Sequence, residues 1–417
     1  MEVRITPSKL IGRVNAPSSK SFSHRALIGA ALAGGVSEIS NINPSEDIDA
    51  TVGALTALGA KIFREGSSYT VIGIKTPAAN AVIDCRESGS TMRFIIPVAA
   101  ALGCSCEFRG SGRLPQRPID PYIRELGKNG AVITRTEGVM PFTMNGKLRG
   151  GDYLLEGDIS SQFITGLLFA LPLCSESSVI RLASKLESKP YADMTVQALS
   201  RFGIAIDESE DEQGFPVYRI RGGQKYRPAE FAVEGDYSQA AFYFTANALG
   251  SEVTVDNLNE RSVQGDKKIL EIIKKTGYND INKKRLSAFT VDVSDIPDLV
   301  PILAVLGCFT DGVSRIVGAK RLRIKESDRL AAVVDALNAL GGKVSAKEDS
   351  LEIQPIERFH GGTVDGAGDH RIVMASAIAS TMADGAVTII GGEAVSKSYP
   401  DFWTDFASLG GKAEFER

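Results

Sequence analysis

The 417-residue sequence is poor in cysteine, histidine and aromatic side chains, and each shortage argues against a class of protein. Its five cysteines are odd in number and follow no regular spacing, which argues against a disulfide framework and favours a reducing compartment. With only three histidines, a zinc site built by the protein is not expected. A formal net charge of −4 provides no overall basic field for nucleic acid, although it is compatible with a local basic patch.

Long hydrophobic runs are also missing. The longest apolar stretches, residues 94–103 and 163–173, are shorter than the ~18 residues needed to cross a membrane, and each contains a proline. The first residues show no apolar signal core. We therefore expect a soluble cytoplasmic protein that does not associate with membranes.

Glycine, in contrast, is abundant, with 42 residues, and some of it is periodic. Six segments combine an amphipathic helix, a glycine and a short strand, as expected where a left-handed glycine ends a helix. These stops recur about every 70 residues, which indicates six copies of one structural unit. They lie at Gly59, Gly130, Gly203, Gly277, Gly342 and Gly411.

A second helix in each copy is apolar on most faces, which is typical of a buried helix. These helices repeat with the same period of about 70 residues, so two independent landmarks support the repeat. They are predicted to begin near Lys20, Ser90, Ser161, Ser238, Asp298 and Asp369. Their starts are polar, and a helix N-terminus attracts anions.

Arginine and lysine also occur at four junctions between loops and helices, at residues 114–120, 188–191, 321–329 and 395–400. Each start alone is explained by ordinary helix capping, and each cation alone by solvated surface charge. Together they predict a pocket for a ligand with several phosphate or carboxylate groups. The sequence contains no P-loop, no complete dinucleotide fingerprint and no serine elbow to accompany Asp369 and His370.

Nine segments in order resemble the 5-enolpyruvylshikimate-3-phosphate synthase family and together span nearly the whole chain. They are residues 19–25, 88–93, 116–119, 160–162, 188–191, 296–298, 323–329, 369–371 and 397–401. The resemblance implies an α/β (α+β) fold of two similar domains, each with three βαβαββ repeats around buried central helices. One domain would be residues 19–234, and the other residues 1–18 with 235–417, with the active site in the cleft between them.

The family transfers the enolpyruvyl group of phosphoenolpyruvate to the 5-hydroxyl of shikimate 3-phosphate, on the route to chorismate and the aromatic amino acids. The resemblance implies no metal or other cofactor, small-molecule substrates only, no nucleic-acid partner and a monomer. It assigns the proton-acceptor role to Asp298 and the other proton transfers to Glu326 and Lys20. It also implies that glyphosate competes with phosphoenolpyruvate.

The binding residues are likewise carried over from the resemblance. For shikimate 3-phosphate they are Lys20, Ser21, Arg25, Ser160, Ser161, Gln162, Ser188, Tyr191, Asp298 and Lys325. For phosphoenolpyruvate they are Lys20, Gly89, Arg117, Gln162, Arg329, Arg371 and Lys397. Glu87 and Arg321 stand where some members have asparagine, so no role is transferred to them.

Three other functions are weighed against this one. A UDP-N-acetylglucosamine enolpyruvyl transferase shares the fold but carries a reactive cysteine on the loop equivalent to residues 112–118, where this chain has none. A non-catalytic repeat scaffold that binds anions would not need Asp298, Glu326 and Lys20 together. A nucleic-acid end-processing enzyme with a related repeat would be expected to show a basic patch interleaved with aromatic residues.

Overall fold

The computed structural model describes residues 1–135, 140–278 and 285–416. The chain divides into two compact units, each with its own core of buried apolar side chains. Unit 1 consists of Met1–Pro17 and Gly235–Arg417, and unit 2 of Ser18–Glu234. The chain therefore leaves unit 1 after Pro17 and returns to it after Glu234.

The helices and strands follow one another in a regular order. Unit 1 begins with β1 (Glu2–Thr6) and β2 (Ile11–Asn15). Unit 2 contains α1 (Lys20–Leu32), β3 (Val36–Ser40), α2 (Glu46–Ala57), β4 (Lys61–Glu65), β5 (Ser68–Ile72), β6 (Asn80–Asp84), α3 (Gly89–Leu102), β7 (Ser105–Arg109), α4 (Asp120–Lys128), β8 (Ala131–Arg135), β9 (Phe142–Gly146), β10 (Asp152–Leu155), α5 (Ser161–Ala170), β11 (Ser178–Leu182), α6 (Lys189–Arg201), β12 (Ile206–Glu210), β13 (Pro216–Ile220) and β14 (Glu230–Ala232). Unit 1 then continues with α7 (Tyr237–Ala248), β15 (Glu252–Asp256), α8 (Lys268–Lys275), β16 (Thr290–Asp292), α9 (Val300–Gly307), β17 (Ser314–Val317), α10 (Arg329–Ala339), β18 (Lys343–Ala346), β19 (Ser350–Gln354), β20 (Gly362–Asp365), α11 (His370–Ala379), β21 (Val387–Ile390), α12 (Phe402–Ser408) and β22 (Lys412–Glu416).

The described strands form six small sheets, and five of them have four strands in the same arrangement. The sheet β6-β7-β9-β8 is typical: β6 and β7 are parallel, and the other neighbours are antiparallel. The sheets β10-β11-β13-β12 and β16-β17-β19-β18 repeat this order. Parallel pairing needs a long crossover connection, which α3, α5, α9 and α11 supply in four of the sheets.

Two sheets are completed by strands from distant parts of the sequence. In unit 2, β14 pairs with β3 as the parallel edge strand of the first copy. In unit 1, β1 lies between β21 and β22, so the first strand of the chain completes its last copy. The remaining sheet, in unit 1, pairs β2 with β15. The repeat is therefore circularly permuted relative to the order of the chain.

The central helices are α1, α3 and α5 in unit 2, and α7, α9 and α11 in unit 1. Most of their residues are buried, including all eight residues of α9. This agrees with the predicted fold class of repeated α/β units around apolar helices. In the described part of the chain, no helix is both long and apolar enough to cross a membrane.

The glycine stops lie after the outer helices, as predicted, but two are displaced by one residue. Gly59, Gly130, Gly203 and Gly277 have positive φ angles. In the last two copies, the residue with positive φ is Gly341 (φ 81°) or Gly410 (φ 89°), rather than the glycine that follows it. In a Gly-Gly pair either residue can adopt the left-handed conformation, so the sequence pattern does not distinguish them.

Candidate active site

Serine or aspartate side chains cap five of the six central helices, and these caps set where each polar helix start lies. In unit 2, Ser19, Ser88 and Ser160 accept hydrogen bonds from backbone N–H groups in the first turns of α1, α3 and α5. In unit 1, Asp236 and Asp369 cap α7 and α11 in the same way. Capping leaves some N–H groups of the first turn available to a ligand.

Lys20 is the first residue of α1, and its ammonium group is 2.7 Å from Oδ2 of Asp47. Both side chains are mostly buried, with exposures of 19% and 17%. Asp47 belongs to the first turn of α2, where the sequence alone explains it as a favourable charge at a helix N-terminus. The ion pair fixes the position of the ammonium group, to which the family resemblance assigns a proton transfer.

Gly89 begins α3 and lies directly against the guanidinium group of Arg117. A Cβ atom built on Gly89 would come within 2.5 Å of Nη1 of Arg117. Gln162, in the first turn of α5, donates from Nε2 to Ser90 Oγ (3.0 Å) and accepts from Nη1 of Arg93 (2.7 Å). Five side chains or backbone groups from three segments therefore meet at the starts of α3 and α5.

Arg25 is buried and points from α1 toward α6. Its guanidinium donates to the carbonyl oxygens of Ser21 and Tyr191, each at 2.7 Å, and to the hydroxyl of Thr195 at 2.9 Å. Among the described residues, no carboxylate forms an ion pair with it. Burial lowers the pKa of Arg25 to about 9, an effect only partly opposed by Tyr191.

The start of α6 lies beside this arginine. Ser188 precedes α6 in a left-handed conformation, with a φ of 59°, and its carbonyl accepts from the N–H of Tyr191. Ser160 caps α5, and Ser161 is its first residue and is buried. The predicted binding residues of unit 2 therefore lie at the starts of four helices, α1, α3, α5 and α6, or on the loop before α4.

In unit 1, the predicted site residues form a network around Arg329, whose side chain is only 1% exposed. Its guanidinium donates to Asp298 (2.9 Å), Glu326 (2.7 Å) and Asp369 (2.9 Å). Nη2 of Arg371 donates to the second carboxylate oxygen of Asp298, also at 2.9 Å. Asp298 is thus held by one arginine on each of its two oxygens.

These contacts change the acid–base properties of the group. Burial alone would raise the pKa of Asp298, but the positive charges of Arg371, Lys325 and Arg329 hold it far below its usual range. Burial would lower the pKa of Arg329, but the surrounding carboxylates raise it above its ordinary value. Burial lowers the pKa of Lys325 to about 8, although Asp298 opposes the shift.

Two further cations of unit 1 lie at the edges of this network. Lys397 donates to the carbonyl of Gly368, the residue before the cap of α11. Arg321 donates to the carbonyl of Ser294 (2.8 Å). In unit 1 the predicted site residues therefore lie in or beside one network, whereas in unit 2 they form local groups at the helix starts.

The sequence reasoning missed several residues that hold these groups. Asp47 and Thr195 carry no distinctive signal, because an acidic residue in a first turn and a threonine inside a helix are common. Arg93 and Asp369 stand inside the segments that resemble the family, but the resemblance assigns them no role. Their signal was the motif itself, since Arg93 follows Ser90 by one helical turn and Asp369 precedes Arg371.

The repeated α/β fold and the cationic groups around a buried carboxylate define a class: a two-unit α/β protein built to bind polyanionic small molecules. Comparison with known proteins makes this specific. The family model of EPSP synthase (3-phosphoshikimate 1-carboxyvinyltransferase) matches residues 5–406. The 3-phosphoshikimate 1-carboxyvinyltransferase of Clostridium kluyveri is 44% identical over 426 residues, covering 99% of this chain and 98% of that protein. The protein of the same name from Clostridium beijerinckii is 43% identical over 427 residues, covering 98% and 97%.

A solved EPSP synthase from Acinetobacter baumannii has the same fold, with a TM-score of 0.82 at 24% identity over the full length of both chains. The chain therefore belongs to the EPSP synthase family. The predicted fold class, family and enzyme class are confirmed, and the UDP-sugar alternative is not favoured. The family consists of transferases of the shikimate pathway, which leads to the aromatic amino acids.

Proposed function

We propose that this chain transfers the enolpyruvyl group of phosphoenolpyruvate to the 5-hydroxyl of shikimate 3-phosphate and releases phosphate. Both substrates carry a phosphate and a carboxylate, so the site must offer several cations and one group that accepts the hydroxyl proton. The observation that carries the proposal is Asp298, a carboxylate held between Arg329 and Arg371 beside Lys325. Family membership supplies the reaction in which such a group takes part.

The binding roles follow the family resemblance. Arg25, whose described partners are neutral oxygens, has the character expected of a group that awaits an anion. We assign it to shikimate 3-phosphate, with Ser160, Ser161, Gln162, Ser188 and Tyr191. Arg117, packed against Gly89, is assigned to phosphoenolpyruvate with Arg329, Arg371 and Lys397. Residues of both units would then act on one pair of substrates.

The chemistry proceeds by addition and elimination. The 5-oxygen of shikimate 3-phosphate forms a bond to C2 of phosphoenolpyruvate, its proton passes to Asp298, and C3 gains a proton from Glu326 or Lys20. Elimination then removes a proton from C3 and expels phosphate from C2. Phosphoenolpyruvate bound by Arg329 and Arg371 would add negative charge beside Asp298 and raise the pKa of that carboxyl. Asp298 would thus become an effective base only when substrate is present.

The test is phosphate release from phosphoenolpyruvate with shikimate 3-phosphate as acceptor, run beside UDP-N-acetylglucosamine and in the presence of a chelator. We expect release with shikimate 3-phosphate alone, unaffected by the chelator and inhibited by glyphosate in competition with phosphoenolpyruvate. Release with the UDP-sugar, or with neither acceptor, would contradict the proposal.

Asp298→Asn tests the assigned base. We expect turnover to fall by about 10²–10⁴-fold, the usual range for loss of a general base. Asp384→Asn is the matched control, because this carboxylate of the same unit pairs with His360 near the surface. We also propose a monomer in the cytoplasm; light scattering that shows a stable dimer would contradict the first part.

A further inference from the structure

The crossing of α3 and α5 contains a tyrosine, a proline and a glycine that fit one another. Pro97 lies inside α3 and has no N–H group. In a regular helix, that N–H would donate to the carbonyl four residues earlier, which here belongs to Arg93. A buried carbonyl without a donor costs stability, so the Arg93 carbonyl needs a partner from elsewhere.

Tyr122 of α4 supplies a donor. Its hydroxyl oxygen is 2.8 Å from the Arg93 carbonyl oxygen and 2.9 Å from the carbonyl oxygen of Phe163 in α5. The side chain is fully buried, and burial raises the pKa of the phenol well above its ordinary value, so the proton is retained. One hydroxyl proton can be shared between two carbonyls in a three-centre hydrogen bond.

Gly166 makes this approach sterically feasible. A Cβ atom at Gly166 would overlap both the hydroxyl oxygen of Tyr122 and the carbonyl oxygen of Arg93. The ring of Tyr122 also packs edge-on against Phe163, with centroids 4.8 Å apart. The guanidinium of Arg93 lies over the other ring, 5.1 Å from the centroid of Phe163.

These contacts lie at or next to two residues of the candidate site. Arg93 carries one of the two carbonyls that Tyr122 approaches, and Gln162 precedes Phe163, which carries the other. The side chains of Arg93 and Gln162 meet at 2.7 Å. We propose that Tyr122 is a positioning residue: it replaces the donor that Pro97 removes and fixes α3 against α5, so that Gln162 bridges Ser90 and Arg93. Its effect on substrate binding rests on the proposed function, whereas its effect on the two helices does not.

The test compares Tyr122→Phe with Tyr226→Phe. Tyr226 is an equally suitable control, because its buried hydroxyl donates to the carbonyl of Phe169 (2.7 Å) at the other end of α5. Each substitution removes one buried hydroxyl donor, which two carbonyls share in the case of Tyr122, and we expect each to lower the melting temperature by about 2–4 °C. Only Tyr122→Phe should raise the KM for phosphoenolpyruvate, by about 3- to 10-fold, with kcat changed less.

Pro97→Ala separates the two effects. In the Tyr122→Phe background it returns an N–H that can donate to the Arg93 carbonyl, so the melting temperature should recover. The new bond lies within α3 and does not join it to α5, so the raised KM should remain. Recovery of KM together with stability would show that Tyr122 is only structural, and would overturn the proposal.

Hydrogen exchange tests the same idea without any reaction. Amides in residues 90–96 and 162–168 should exchange several-fold faster in Tyr122→Phe than in Tyr226→Phe. If the wild-type protein releases no phosphate, the proposed function fails, and this exchange result alone decides the positioning role. Equal changes in both tyrosine variants, or no change in either, would overturn it.

Discussion

The two units treat a buried arginine in opposite ways. Arg25 of unit 2 donates to neutral oxygens, two carbonyls and a hydroxyl, and burial lowers its pKa to about 9. Arg329 of unit 1 donates to three carboxylates, which raise its pKa above the ordinary value in spite of burial. Among the described residues, no carboxylate pairs with Arg25, whereas three carboxylates pair with Arg329.

This difference indicates different tasks. A buried charge without a counter-ion is costly, so its retention at Arg25 is best explained by an anionic ligand that supplies the missing charge. At Arg329 the charge is already balanced within the protein, and the arginine orients Asp298 and its neighbours. In the proposed function, Arg25 would contribute binding charge alone, whereas Arg329 would both hold the base Asp298 and bind phosphoenolpyruvate.

The largest expected effect is on stability, from Arg329→Met. The substitution leaves Asp298, Glu326 and Asp369 without their shared partner, and breaking a buried ion pair costs about 3–5 kcal/mol. Urea unfolding measures it. Arg315→Met is the control, because that exposed arginine of β17 pairs with Glu352 at 3.4 Å and should cost less than about 1 kcal/mol. Equal losses in the two variants would remove the contrast between compensated and surface charge.

Arg25→Met should give the converse result. The lost bonds are to neutral oxygens and a desolvated charge is removed, so we expect a stability cost of only about 1–2 kcal/mol. Loss of a buried partner for a phosphate should lower kcat/KM for shikimate 3-phosphate by about 10²–10³-fold. Arg25→Lys keeps the charge but not the forked geometry, and should recover part of the activity. A stability loss as large as that of Arg329→Met, with substrate binding intact, would refute this account.

Part of this picture was available in the sequence. The glycine stops and the apolar helices share a period because each copy buries one helix and ends another, and both requirements leave local signals. The circular permutation leaves no such signal, since β1 pairs with β21 and β22, which lie near the other end of the chain. The period shows how many copies there are, but not which distant strand completes each one.

The candidate site was predictable to a similar extent. Motifs identify Asp298, Glu326 and Arg371, because their residue types stand at recognisable helix starts and loops. They do not reveal that one side chain, that of Arg329, contacts three carboxylates, or that Asp47 pairs with Lys20. Apart from the Arg329–Glu326 pair, which is three residues apart, these contacts join residues 27 to 40 positions apart in the sequence, and no local rule encodes them.

Lowering the pH from 7 to 5 should reduce the unfolding free energy by about 2 kcal/mol through one residue of unit 2. His24 in unit 2 is fully buried, and burial lowers its pKa from 6.5 to about 3. The unfolded chain therefore binds the proton more tightly, so stability falls as pH drops below 6.5, by about 2 kcal/mol between pH 7 and pH 5. The paired carboxylates Asp298 and Asp369, whose pKa values are lowered, lose their contribution only below about pH 4.

Unfolding free energies measured at pH 7 and pH 5 check this order. His24→Asn cannot take up a proton and should lose about 2 kcal/mol less than the wild type over that range. Hydrogen exchange should show unit 2 loosening at pH 5 and unit 1 only near pH 3. Loosening of unit 1 first would mean that its carboxylates, not His24, control acid stability.

The smallest expected effect concerns Arg117, a cation of unit 2 that packs against a glycine. Arg117 rests against the backbone of Gly89, and the Cβ atom of Gly89→Ala would displace its guanidinium. Because a flexible side chain yields more easily than backbone, stability should change by less than about 0.5 kcal/mol. Misplacing one cation should raise the KM for phosphoenolpyruvate about tenfold and leave that for shikimate 3-phosphate unchanged. Gly53→Ala is the control, since nothing lies within 4 Å of its Cβ position. If Gly89→Ala left both KM values unchanged, packing against Gly89 would have no part in placing Arg117 for phosphoenolpyruvate.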